Sequence, residues 1–240
     1  MSEFKFPTEM VELPSKGLIY PKDHPLRSGK VEMKYMTAKE EDILSNQNLI
    51  EKGVVLEKLL ESLIQGKFDT KSLSTGDKNA IFIASRILGY GKDYTFTYND
   101  KEITVDLTTI EPKPFDESII DENGFINFIL PKSETNVKFK ILTEKEEDTI
   151  TEEIKNLSKF KGDGSGEVTV RLKHQIVAIN GTEDKTEIKS FVDNYMLAQD
   201  SRALRNYVKE VSPDVDMSHT LDNGEVITIP VGVGFFWPDL

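Results

Sequence analysis

Two stretches of the chain carry almost the same pattern of apolar and polar positions. The first is VEMKYMTAKEEDIL, which begins at Val31, and the second is VKFKILTEKEEDTI, which begins at Val137; half of their fourteen positions are identical. In each, apolar side chains alternate with polar ones up to a threonine, and an acidic segment follows. Alternation with a period of two predicts a strand with one buried face, and the acidic segment predicts a helix.

A threonine at the junction is followed three positions later by a glutamate in both stretches, as Thr37 with Glu40 and Thr143 with Glu146. This is the spacing of a capping box, in which the threonine oxygen accepts an amide of the first turn and the glutamate reaches back to the cap. We therefore expect these four residues to be structural caps. Adjacent carboxylates in the first turn also suit the positive end of the helix dipole, so they do not by themselves indicate acid–base chemistry.

The rest of the first half predicts more helix and then a hairpin. GVVLEKLLESLIQG places apolar side chains on one helical stripe, and a further helix ends near Gly89. YTFTYNDKEITVDL alternates on both sides of Asn99–Asp100, as expected for a hairpin. Pro112 and Pro114 then indicate a linker.

The second half repeats this order with one difference. A helix is predicted through about Leu157 and a flexible loop at KFKGDGSGE, but residues 168–181 alternate and favour strands where the first half favours a helix. Two helices over 185–211 and a hairpin at HTLDNGEVITIPV follow. Leu13–Pro14 and Leu130–Pro131 precede the two repeated strands. We predict an α+β fold made of two pseudo-duplicated units, each with a strand, a capped acidic helix, further helices and a β-hairpin.

This interpretation divides the chain into four parts: a proline-rich N-terminal arm over 1–30, a first α+β unit over 31–111, a linker over 112–124, and a second α+β unit with an aromatic tail over 125–240. The arm and the tail carry the apolar residues predicted to bind a partner, namely Leu18, Ile19, Tyr20, Phe235, Phe236 and Trp237. Aromatic side chains are enriched at binding hot spots. The alternative is that the arm and the tail pack on their own domain.

Composition narrows the classes of function. The chain has 42 acidic and 30 basic residues, a net charge of −12, which disfavours nucleic acid as a partner. It has no cysteine, so disulfides and thiolate zinc sites are excluded. No apolar stretch approaches the roughly 20 residues that span a bilayer, and no secretory signal is evident. We expect no membrane association and a cytoplasmic location.

No catalytic or metal-binding motif emerges from the sequence. His24, His174 and His219 lie too far apart for a metal pair, and neither glycine-rich segment, GDGSGE or GYGKDY, has the spacing of a phosphate loop. Asp214 and Asp216 suit a turn better than a cation site. We predict no catalytic residues, no metal, no cofactor and no small-molecule substrate. A metal-dependent enzyme using clustered carboxylates and a general adaptor protein are the alternatives.

The order of several segments resembles a known family. These segments are LPSKGLIYP, VEMKYMTAKEEDIL, LSTGDKNAIFIASRILGYGKDY, FKILTEKEEDTI, LAQDSRALRNYVKEVSPDVDM and FFWPDL. Together they are similar to the baseplate hub assembly proteins of T-even-type tailed bacteriophages. The resemblance implies assembly of the hub of a contractile tail in the host cytoplasm, as a chaperone or as part of the virion, with other hub or tail proteins as partners. Some members carry a Cys-x-x-Cys pair in the first hairpin; this chain has YNDKE there.

Overall fold

A computed structural model describes residues 7–161 and 166–236. Its strands are β1 (Thr8–Glu12), β2 (Lys30–Lys34), β3 (Ile64–Gln65), β4 (Asp93–Tyr98), β5 (Lys101–Asp106), β6 (Phe125–Ile129), β7 (Asn136–Lys140), β8 (Ile176–Ile179), β9 (Ser218–Thr220) and β10 (Val226–Thr228). Its helices are α1 (Ala38–Leu44), α2 (Gln47–Glu51), α3 (Val55–Leu63), α4 (Thr75–Tyr90), α5 (Glu144–Lys161), α6 (Glu167–Gln175), α7 (Lys185–Asn194) and α8 (Ala198–Val211). Helices combined with small antiparallel sheets confirm the predicted α+β class.

Each half of the chain contains a three-stranded antiparallel sheet with the same connectivity. The strand order is β1-β2-β3 in one half and β6-β7-β8 in the other, and in both the middle strand continues into the acidic helix. The amide of Leu13 donates to the Gly29 carbonyl, and the amide of Leu130 donates to the Thr135 carbonyl, both at 2.9 Å. The two halves therefore share topology and register here. Internal duplication remains an interpretation, which these matched bonds support.

The alternating pattern that predicted the two middle strands is explained by burial on one face. Val31 and Met33 of β2 and Val137 and Phe139 of β7 are almost fully buried, while Glu32 between the first two is exposed. A buried side chain of this size contributes about 1.5–3 kcal/mol relative to an exposed one. Because a shift of one residue would expose every one of these side chains, the pattern also fixes the register.

The N-terminal arm packs on the first sheet and not away from the domain. Within the described residues of the arm, Thr8–Glu12 forms β1, which pairs with β2, and Leu13 and Leu26 belong to the main hydrophobic core. The linker is held against the arm by ion pairs between Lys16 and Glu117 (2.5 Å) and between Lys22 and Glu122 (2.7 Å). Both pairs are exposed, so solvent screens them and they contribute little to stability.

The last part of the chain that the structure describes packs on the first unit, whereas the division from the sequence groups it with the second unit over 125–240. Val215, Ile229, Phe235 and Phe236 are part of the core that the first half builds, while a second core gathers side chains from β6 to α8. After α8 the chain crosses back to the first unit and forms the β9–β10 hairpin there. This return depends on contacts between distant residues, which local patterns cannot reveal.

The predicted strand character of residues 168–175 is wrong. Glu167–Gln175 is the helix α6, and only Ile176–Ile179 is extended, as β8. Alternating Val168, Val170 and Leu172 mimic a strand, but Val170, Leu172 and Gln175 are the residues of this helix that are buried. The second half therefore has a helix followed by a strand at this point, as the first half has in α3 and β3.

Candidate functional site

A buried aspartate attaches the N-terminal arm to the first unit. The Asp77 carboxylate is fully buried near the start of α4 and accepts hydrogen bonds from the Ser15 amide at 2.9 Å, from the Ser15 hydroxyl at 2.6 Å and from the Tyr20 hydroxyl. The Ser74 amide donates to the Tyr20 oxygen at 3.0 Å, so this hydroxyl is bonded both to Asp77 and to the backbone just before α4. Burial raises the pKa of Asp77, and the hydrogen bonds offset part of this effect.

A second aspartate occupies the matching position in the second unit. Asp200 lies near the start of α8, is fully buried, and accepts the amides of Lys132 at 2.7 Å and Ser133 at 3.0 Å. Burial alone would raise the pKa of Asp200, but the amide bonds outweigh it and lower the pKa. In both units an aspartate of the last long helix therefore binds the backbone that follows a Leu-Pro pair. The sequence signal was present, since each Leu-Pro pair and each Asp-containing helix recur in the same order.

At both helix starts the glutamate reaches back to the threonine, which is one of the two bonds expected of a capping box. Glu40 accepts the Thr37 amide at 2.9 Å and its hydroxyl at 2.7 Å, and Glu146 accepts the Thr143 amide at 2.9 Å and its hydroxyl at 3.1 Å. Each glutamate also pairs with the lysine at the end of the preceding strand: Lys34–Glu40 at 2.7 Å, and Lys140–Glu146. The lysine anchors the helix start to the sheet, a contact that the spacing did not predict.

Glu40 is the more deeply buried of the two glutamates. Its carboxylate is inaccessible, and besides Lys34 and Thr37 it accepts the hydroxyl of Ser62 from α3 at 2.5 Å. Burial alone would raise the pKa of Glu40, but the bonds from Lys34, Ser62 and Thr37 together lower it to about 2. This carboxylate therefore holds β2, α1 and α3 together as an anion.

The arm residues predicted to bind a partner are only partly accessible. Leu18 and Ile19 are half-buried, and Tyr20 is buried with its hydroxyl on Asp77. Burial and the charge of Asp77 raise the pKa of the Tyr20 phenol well above its usual range. This part of the arm has a structural role within the first unit, and Tyr20 offers no exposed surface to a partner.

Phe235 and Phe236 of the tail are core residues and not exposed anchors. Phe235 and Phe236 lie in a single 3-10 turn and are almost fully buried. Phe235 packs edge-on against Tyr94 with ring centroids 4.7 Å apart, and Phe236 packs edge-on against Phe82 at 5.7 Å. The turn directs two adjacent rings into one core, which an extended tail would not allow. Trp237 lies outside the described residues.

Asp214, Asp216 and His174, considered above as candidates for chemistry, are bonded to other groups of the protein. Within residues 7–161 and 166–236, no group of three or more His, Asp or Glu side chains is placed to hold a metal ion. Asp214 accepts from Asn79 at 3.0 Å and faces Lys113 at 3.4 Å, so it joins the two halves, while Asp216 accepts the Ser218 amide in a turn. His174 bonds Glu153 at 2.9 Å. The GDGSG segment falls largely outside the described residues.

The two units meet through a polar contact. Ser74 and Thr143 form an isolated antiparallel bridge, the Glu144 amide donates to the Leu73 carbonyl at 2.9 Å, and Lys78 pairs with Glu144. A cleft of about 280 Å³ opens beside this contact, and Arg171 and Arg205 are among its lining residues. Apolar side chains, among them Ile141, Leu142 and Val208, line it as well.

The most exposed large apolar side chains of the described residues are not in the arm or the tail. They are Met10, Ile129, Val168, Tyr195, Leu197 and Val226. Tyr195 and Leu197 lie in the turn between α7 and α8, and Ile129 ends β6, next to the turn whose amides bind Asp200. Exposed apolar groups favour contact with another protein where they are contiguous on the surface.

The architecture is that of an α+β scaffold protein whose buried carboxylates fasten strands, helices and arm together. Residues 8–211 match the family described as T4 bacteriophage base plate protein. The chain belongs to this family, which gives it a structural role in a phage baseplate. Comparison with curated proteins and with solved structures found no match. None of the helices within residues 7–161 and 166–236 combines the length and the hydropathy of a membrane-spanning segment.

Proposed function

We propose that this protein assembles the central hub of a contractile-tail baseplate by binding other hub or tail proteins, without catalysing a reaction. The family match over residues 8–211 carries the proposal. The buried carboxylates support it: Glu40, Asp77 and Asp200 are each satisfied by backbone or side-chain donors and are therefore committed to the fold. The work takes place in the host cytoplasm, where baseplates are built.

The partner surface lies on the second unit in this proposal. Tyr195, in the turn between α7 and α8, is 68% exposed, whereas Phe235 and Phe236 are used in the core. A buried leucine or tyrosine at the centre of a contact supplies about 1–2 kcal/mol or more of binding free energy. We therefore expect this turn, and not the tail, to dominate binding.

Recovery of partners from infected cells tests the proposal. Affinity-tagged chain is expressed during infection, and co-purified proteins are identified by mass spectrometry in parallel with purified particles. We expect hub or tail proteins to be recovered, and Tyr195→Glu to reduce their recovery while Val226→Glu, an equally exposed control, does not. Presence in particles identifies a virion component, and presence only in intermediates identifies a chaperone. Recovery of no tail protein would contradict the proposal.

The non-catalytic part of the proposal has its own test. Asp42→Asn and Asp148→Asn remove exposed carboxylates from the two acidic segments that an enzyme would use. Complementation of a phage that lacks the protein should be unaffected by both substitutions. Loss of complementation with an unchanged fold and unchanged partner recovery would favour a carboxylate-dependent activity instead.

A further inference from the structure

The contact between the two units uses different faces of the two units. The first unit contributes the start of α4, residues 73–79, which we call an upper face. The second unit contributes the start of α5 at Thr143–Glu144 and the segment after α8 at Pro213–Asp214, which we call a lower face. The approach is very close at Gly76, where an added Cβ would lie 1.9 Å from the Pro213 carbonyl oxygen. If each unit has both an upper and a lower face, this head-to-tail contact uses the upper face of the first unit and the lower face of the second. The upper face of the second unit and the lower face of the first unit then remain unused.

The unused upper face is on the second unit and is exposed. Matching Asp200 with Asp77 places Leu197 at the position of Ser74 and Gln199 at the position of Gly76. Ser74 and Gly76 are buried by the second unit, whereas Leu197 and Gln199 are exposed. An exposed leucine therefore stands where the first unit makes its bridge to Thr143.

The unused lower face is on the first unit. Matching the caps places Thr37 at the position of Thr143 and Ala38 at the position of Glu144, and Ala38 is exposed. In the internal contact Glu144 pairs with Lys78. The counterpart of Lys78 is Ser201, so that both partners of the ion pair are replaced together by small neutral residues. An outer contact would therefore bury no unpaired charge at these two positions, while the second ion pair of the internal contact, Lys71–Asp148, has Asn194 and Asp42 as its counterparts.

We infer that the protein associates head to tail with a second copy of itself, through the upper face of one chain and the lower face of the next. Repetition of a heterologous contact gives a closed ring or an open chain of molecules, depending on the rotation between copies. The contact is weaker than the internal one, because Gln199 cannot approach as closely as Gly76 and because no linker raises the local concentration. This inference stands on the unit geometry and does not require the proposed hub function.

Sedimentation velocity of the purified chain from about 1 µM to 1 mM tests the inference. We expect a concentration-dependent rise in mass. Leu197→Glu on the upper face and Ala38→Glu on the lower face should each weaken association about tenfold or more, because a charge is placed in an apolar contact. Val226→Glu, exposed at 63% and on neither face, should have no effect. A wild-type chain that stays monomeric throughout would overturn the inference.

Mixing the two variants distinguishes head-to-tail contact from a symmetric one. Leu197→Glu disrupts the upper face of every copy, and Ala38→Glu disrupts the lower face of every copy, so neither variant should associate alone. In a mixture, the intact lower face of the first variant can bind the intact upper face of the second, and one-to-one dimers should form. Because the chain has no cysteine, Ala38→Cys and Leu197→Cys give a second readout at exposed positions. On oxidation, mixed disulfides should exceed disulfides between identical chains. Equal amounts, or association that mixing does not restore, would also overturn the inference.

Discussion

Removal of the Asp77 carboxylate tests how the arm is held. Asp77→Ala leaves the Ser15 amide, the Ser15 hydroxyl and the Tyr20 hydroxyl without their acceptor inside the protein. An unsatisfied buried donor costs about 1–3 kcal/mol. The Ser15 hydroxyl can rotate, which leaves two donors and an expected loss of about 2–6 kcal/mol in the free energy of unfolding. A loss of this size is a large part of the 5–15 kcal/mol that typical domains have.

Urea denaturation followed by circular dichroism measures this loss. Tyr20→Phe removes one of the bonds and should cost about 1–2 kcal/mol. Asp200→Ala is the matched control: its carboxylate is equally buried, but Lys132 and Ser133 are exposed, so water can reach their amides and the cost should be smaller. The reasoning is refuted if Asp77→Ala lowers the unfolding free energy by less than about 1 kcal/mol, or by less than Asp200→Ala does.

Three further substitutions probe other contacts. The pKa of Glu40 is lowered from 4.5 to about 2, so the stabilisation that its charge provides is present above pH 4.5 and is lost as the pH falls towards 2. In a pH series of urea midpoints, Glu40→Gln should remove this pH-dependent stabilisation, which is at most about 3 kcal/mol. A variant with unchanged pH dependence would contradict this prediction. Phe236→Ala should lower the free energy of unfolding, measured by thermal denaturation, by about 3–5 kcal/mol, and the exposed control Val226→Ala should lower it by less than about 0.5 kcal/mol. Similar losses for the two variants would contradict a core role for Phe236. Gly76→Ala should destabilise the protein by about 1–3 kcal/mol because the added methyl clashes with rigid backbone, whereas Gly89→Ala meets only the flexible Met36 side chain and should be nearly neutral. Amide hydrogen exchange at Ser74 and Glu144 reports whether the contact between the units loosens. Equal effects of the two substitutions would contradict the prediction.

Features that depend on neighbouring residues were predictable from the sequence. The Thr37–Glu40 and Thr143–Glu146 spacings correctly gave the helix starts, and the turn at Asn99–Asp100 gave the first hairpin, because caps and turns depend on local backbone chemistry.

Features that depend on distant contacts were missed. The alternation at Val168–Leu172 suggested a strand, but packing against the second core selects a helix. The paired rings of Phe235 and Phe236 resembled an exposed anchor, since nothing local shows that the chain returns to Phe82 and Tyr94. The match between Asp77 and Asp200 was visible as a recurring order of elements, but its meaning required the folded backbone.

Electron microscopy of baseplates assembled in cells depleted of this protein tests the central claim most directly. The claim is that the chain builds the hub through protein contacts. It predicts that depleted cells accumulate tail intermediates without a complete central hub, and that expression of the wild-type chain restores complete baseplates. Complete baseplates in the depleted cells would contradict it.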